Sequence, residues 1–164
     1  LAQEREALLS AMVDPNVAVS NALDLWDLQS PYGDIHPRNK RDVAERLVRW
    51  ALVKDYGFKM PYRSPEYKSM SVVGNKAVVT IDTFGSSLRA FDVKELKGFA
   101  ICGEDKKWQW ADAVIVGNDK IEVSAKGIVK PVAVRYAWAD NPVCNVLSKE
   151  GLPLTSFRTD GPKD

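Results

Sequence analysis

The residues with most chemical reach lie in Gly33-Asp34-Ile35-His36-Pro37-Arg38-Asn39-Lys40, which holds the only histidine of the 164-residue chain. An imidazole titrates near neutrality and is the usual general base for a serine nucleophile, with a carboxylate fixing its tautomer and stabilising the imidazolium. His36 and Asp34 are therefore candidate catalytic residues. Pro37 restricts the backbone ahead of it and so helps to fix where the ring points. The plainer alternative is a surface loop in which Asp34 only turns the chain. Arg38 is a candidate for a substrate carboxylate through paired hydrogen bonds, against the commoner fate of an ion pair with Asp34, Asp42 or a neighbour.

Other groups are weaker candidates. Trp108, Trp110 and Trp138 have the chemistry of a sugar-stacking platform, but Trp108 and Trp110 alternate around Gln109 and share one strand face, and packing in a core or interface is the preferred reading. Arg135 within a strand reads as an ion-pair or sheet-surface residue. Asn141 and Asn145 beside Pro142 read as loop residues that satisfy local backbone groups. Cys102 and Cys144 form neither a disulfide framework nor a zinc cluster. They either pair or stay as two free thiols. No cofactor and no metal is expected.

The elements that must position the histidine are legible around it. Residues 1–12 read as a helix stopped by Asp14-Pro15, its uncapped opening at Leu1 suggesting a start within a longer protein. Residues 17–23, apolar nearly throughout, predict a strand covered on both faces, as in a parallel sheet flanked by helices. Asn39 caps a helix with Asp42 three residues on. Val43, Leu47, Trp50, Ala51 and Lys54 form its stripe, with Ala44, Val48 and Leu52 beside it, and Gly57 ends it. From residue 67 the pattern changes. Runs at 70–73, 77–81, 99–102, 108–110, 113–116, 121–123 and 132–136 read as strands, with hairpin turns at 74–75, 103–106 and 117–119. That density of short strands predicts an antiparallel sandwich, with an irregular tail from Asp140.

Composition excludes several classes. Lys and Arg number 23 against 22 Asp and Glu, a net charge of +1, so nucleic acid and anionic membranes are not favoured partners. No apolar run reaches the roughly 20 residues of a membrane span, and residues 1–20 lack the regions of a signal peptide, so a soluble chain is expected. With 45% apolar residues it has enough to bury a core.

Asp34-Ile35-His36-Pro37-Arg38-Asn39-Lys40, followed by a helix ending in Trp50-Ala51-Leu52-x-Lys54-x-Tyr56-Gly57, resembles the last catalytic block of the sialate O-acetylesterase family within the SGNH hydrolases. The segments Glu95-Leu96-Lys97-Gly98-Phe99-Ala100-Ile101, Val132-Ala133-Val134-Arg135-Tyr136-Ala137-Trp138, Asn141-Pro142-Val143-Cys144-Asn145 and Gly151-Leu152-Pro153 resemble the β-rich C-terminal part of that family. The resemblance as a whole spans nearly the whole chain, from about Asn16 to Arg158.

The resemblance implies an α+β chain: residues 1–60 as the C-terminal end of a flavodoxin-like α/β hydrolase domain, residues 61–164 as an antiparallel β-sandwich. It implies a serine esterase that removes acetyl groups from sugar hydroxyls, with a secreted, periplasmic or lysosomal location. His36 matches the catalytic histidine. The wider SGNH pattern places an aspartate three residues before it, where this chain has Gly33, so either Asp34 or a backbone carbonyl orients the ring.

No Gly-Asp-Ser block and no Gly-x-Ser-x-Gly elbow is present, and Phe84-Gly85-Ser86-Ser87-Leu88 lacks the closing glycine. The oxyanion-hole blocks are absent too. The expected partner is therefore an N-terminal catalytic segment, or another chain of the same esterase, that bears the serine. An acetylated sugar is the expected substrate, and the chain alone is expected to be inactive. The alternative is a non-catalytic β-sandwich module that binds glycan or packs on a partner domain.

Overall fold

The computed structural model describes residues 1–25, 36 and 38–161. Helix α1 (Ala2–Ser10) runs into a single 3-10 turn, and Asp14 turns extended ahead of Pro15, as the steric demand of proline requires.

Residues 17–23 correct the sequence expectation, because they form no strand. A parallel strand needs a ladder on a neighbour, and no strand among the described residues pairs with this segment. Its polar groups bond elsewhere. Ser20 Oγ donates to the Val43 carbonyl at 3.3 Å, and Asn21 Nδ2 to the Pro153 carbonyl at 3.2 Å. Val17 and Ala18 are exposed rather than covered on both faces.

Helix α2 (Lys40–Lys54) is capped as expected, Asn39 Oδ1 accepting from the Asp42 N–H at 3.2 Å. Gly57, at φ +74°, lets the chain turn off the helix while the Phe58 N–H donates back to the Leu52 carbonyl. The buried face differs from the expected stripe. Arg46 is the buried residue of α2, whereas Ala44 is exposed and Leu47 and Val48 are 47% and 53% exposed.

Ten strands follow: β1 (Glu66–Val73), β2 (Lys76–Asp82), β3 (Leu88–Ala90), β4 (Phe99–Cys102), β5 (Trp108–Trp110), β6 (Asp112–Val116), β7 (Lys120–Ser124), β8 (Ala133–Tyr136), β9 (Val146–Ser148) and β10 (Phe157–Arg158). All recorded pairings are antiparallel. They give two four-stranded sheets, β1-β2-β7-β6 and β10-β8-β4-β5, and the two-stranded β3-β9. The three expected hairpin turns join β1 to β2, β4 to β5 and β6 to β7. At the first, Val73 pairs with Lys76, and Gly74 supplies φ +60°. Strands β3, β9 and β10 had no counterpart in the sequence reading.

Alternation places one face of each large sheet in a common core. Val79 and Ile81 on β2, Ile121 and Val123 on β7, Phe99 and Ile101 on β4, and Val134 and Tyr136 on β8 belong to one buried cluster. Each such side chain contributes about 1.5–3 kcal/mol by leaving water. The Tyr136 hydroxyl, buried with the rest, accepts from the Val146 N–H at 3.1 Å and so ties β8 to β9. The described chain is thus mostly β, with two helices and antiparallel sheets.

Candidate functional site

His36 stands exposed at a bend three residues ahead of the Asn39 cap, and Arg38 is exposed beside it. The Arg38 carbonyl accepts from the Lys40 N–H at 2.8 Å, which fastens this turn to the first residue of α2. Asp34 and Pro37 lie outside the described residues. An exposed imidazole on a turn set by a capped helix can exchange protons with a group presented from outside the chain.

The stem of the histidine loop is held by a contact absent from the sequence reading. Arg46, on α2, forms a two-pronged ion pair with Asp24, Nη1 to Oδ1 at 2.7 Å and Nη2 to Oδ2 at 2.7 Å. The same Nη1 donates to the Asn21 carbonyl. Asp24 precedes the loop and Arg46 follows it, so the pair fixes both ends of the segment that carries His36. Planar guanidinium and carboxylate groups match in this geometry, and the low exposure of Arg46 makes the pair more rigid than a surface bridge. A signal was present: residues 43, 46, 50 and 53 recur at helical spacing, and the arginine among Val43, Trp50 and Val53 calls for a buried carboxylate partner.

Helix α2 is held at its far end as well. Trp50 meets Tyr62 edge-on at 4.9 Å, and Arg49 Nη1 donates to the Pro61 carbonyl at 3.1 Å.

The remaining candidates sort clearly. Ser86 donates to the Glu150 carboxylate. Arg135 pairs with Asp160, the ion-pair role expected for it. Asn145 satisfies backbone that is distant in sequence rather than local, accepting from the Lys97 N–H at 2.7 Å and donating to the Glu95 carbonyl at 2.9 Å. Cys102 and Cys144 are free thiols. Burial pushes the Cys144 thiol up to about 11, so it stays protonated at neutral pH. Of the two packing roles preferred for the tryptophans, the core is excluded and an interface is untested: Trp108, Trp110 and Trp138 line one open cleft, outside the core cluster. Trp108 and Trp110 share a strand face that turns away from Phe99, Ile101 and Tyr136, and Trp138 follows the end of β8.

No protein-family model matches the chain. Over 135 residues it is 33% identical to the sialate O-acetylesterases of Homo sapiens and of Pongo abelii, a match that takes in 78% of this chain and 25% of each relative. The chain thus spans about a quarter of the length of these curated relatives. The crystal structure of a carbohydrate acetylesterase from Xanthomonas citri is similar at a TM-score of 0.74 and 39% identity, covering 83% of this chain and 31% of that one. Sequence and backbone converge on the family whose motifs surround His36: the chain belongs to the sialate O-acetylesterase family, as a C-terminal portion of it.

Proposed function

We propose that this chain is the histidine-bearing part of a serine carbohydrate O-acetylesterase, with the serine and the oxyanion hole supplied by a preceding segment or another chain. In this reading residues 1–60 complete a flavodoxin-like SGNH hydrolase domain, and residues 61–164 form an antiparallel β-sandwich beside it. The enzyme works outside the cytosol, in a secreted, periplasmic or lysosomal setting. The observation that carries the proposal is the position of His36: the sole imidazole of a chain from an esterase family stands exposed three residues ahead of the Asn39 cap of α2.

His36 accepts the proton of the serine hydroxyl as its oxygen attacks the acetyl carbonyl. The tetrahedral intermediate collapses, the imidazolium returns the proton to the departing sugar oxygen, and an acetyl-serine remains. His36 then takes a proton from water as it attacks the acetyl group, and the imidazolium returns that proton to the departing serine oxygen, releasing acetate and free serine. Asp34 or a backbone carbonyl holds the imidazole in its working tautomer, and Arg38 contacts a carboxylate on the substrate. The exposed Leu47 and Val48 of α2 support an additional covering segment, since they leave apolar surface in water.

Reconstitution tests the reading. The chain alone is expected to release no acetate from 4-nitrophenyl acetate. Co-expressed with the preceding segment of the esterase it should become active, and His36→Ala should then lower kcat by about 10²–10⁴-fold. A fully active complex indifferent to His36→Ala overturns the proposal in favour of a non-catalytic β-module. Activity of the chain alone, abolished by the same substitution, overturns the division of the active site.

A further inference from the structure

We propose that the outer face of the β10-β8-β4-β5 sheet carries a binding cleft for an uncharged pyranose oligosaccharide, stacked against the indoles of Trp110 and Trp138. This goes beyond the esterase reading and does not rest on His36.

Strand register builds the cleft. Trp110 on β5 pairs with Ala100 on β4, Ala100 with Arg135 on β8, and Arg135 with Arg158 on β10. These four residues form one row across the sheet, on the side opposite the buried Phe99, Ile101 and Tyr136. Trp108 shares that side with Trp110. The floor between the bulky ends is low, because Gly98, Ala100 and Ala137 carry little or no side chain there. The space amounts to about 300 Å³, at the small end of small-molecule sites.

Trp110 is 78% exposed, and among the described residues no other ring and no cation lies against it. The other two indoles are braced. The Arg135 guanidinium lies 4.0 Å from the Trp108 ring centre, and that of Arg158 lies 4.9 Å from the Trp138 ring centre. Flat apolar walls with polar atoms interleaved suit a ligand with an apolar C–H face and a hydroxyl edge, which describes a pyranose ring.

Charge selects a neutral ligand. Arg135 donates through Nε and Nη2 to the Asp160 carboxylate, and Arg158 through Nε and Nη2 to that of Glu6. Each guanidinium is already matched to a carboxylate, so an anionic ligand meets no net positive field. Arg135 lines the cleft, and its Nη1 takes no part in the Asp160 pair.

The test uses the full chain, labelled with ¹⁵N and titrated with cellotetraose, xylotetraose, maltotetraose and, as an anionic probe, sialyllactose. At least one neutral tetrasaccharide is expected to shift the indole N–H resonances of Trp108, Trp110 and Trp138 saturably at millimolar concentration, leaving Trp50 unmoved. Trp110→Ala, at an exposed position, should keep the fold by circular dichroism and weaken binding at least about tenfold. Absence of any saturable shift with the three neutral probes, binding of sialyllactose alone, or unchanged affinity in a folded Trp110→Ala chain each overturns the proposal. So does protection of Trp110 from hydroxyl-radical oxidation in the sugar-free longer esterase, which makes the cleft a packing face for another part of that protein.

Discussion

Gly98 sits at φ +93°, and a β-carbon there would stand 2.9 Å from the Val143 carbonyl oxygen and 3.1 Å from Cys144 Cβ. The left-handed backbone alone disfavours an L side chain by about 1–2 kcal/mol, and the contact with backbone adds to it. Gly98→Ala is expected to lower stability by about 2–3 kcal/mol, read as a fall in the urea midpoint; an unchanged midpoint contradicts this account. Single residues were unevenly legible in the sequence. His36 was visible because it is the only imidazole, and Asn39 because a cap has local spacing. Whether the tryptophans face the core was not legible, for a physical reason. In Phe99-Ala100-Ile101-Cys102 both alternating sets are apolar, so the pattern does not mark which face of β4 meets the core, and the neighbouring β5 inherits the ambiguity.

Helix α2 and the segment ahead of the histidine loop act together through Arg46 and Asp24. Arg46→Met removes one charge and leaves the other carboxylate against the helix. Loss of a fully buried pair costs about 3–5 kcal/mol. Asp24 keeps 23% side-chain exposure, so the expected loss is smaller, about 2–3 kcal/mol by urea unfolding. A loss below about 0.5 kcal/mol is what a solvated surface bridge would give, and would contradict the anchoring role. Elements with local instructions were readable: α2 from its cap and period, and the hairpins from Gly74, Gly103 and Gly117. Elements whose partners lie far off in sequence were not. Strands β3 and β9 are three residues each and meet across Arg89 and Leu147, with no local signal for either. Residues 17–23 carry the composition of a strand but no described neighbour to complete a ladder.

At the scale of the molecule, the change to antiparallel β structure after residue 60 was plain from the short apolar runs, and the family was legible from several ordered motifs. The joining of the two ends was not. Burial also raises three acids of the interior, the Cys144 thiol to about 11, the Tyr136 phenol well above its ordinary value and the Cys102 thiol upward. A folded-state acid held neutral retains its proton where the unfolded chain loses it, so stability falls as pH rises. For Cys144 the window runs from the ordinary 9.0 to about 11. Thermal unfolding followed across that range should show a Tm that declines steadily, with a shallower decline in Cys144→Ala; a flat profile contradicts the burial of these groups. The ends of the chain meet through α1, whose Arg5 donates to the Ala137 carbonyl and whose Glu6 pairs with Arg158. Ala2 is the only buried residue of this nine-residue helix, which is too short to persist alone in water. Its partners lie 132 and 152 positions away, so during synthesis α1 leaves the ribosome well ahead of the residues that seat it. An element made early is seated late.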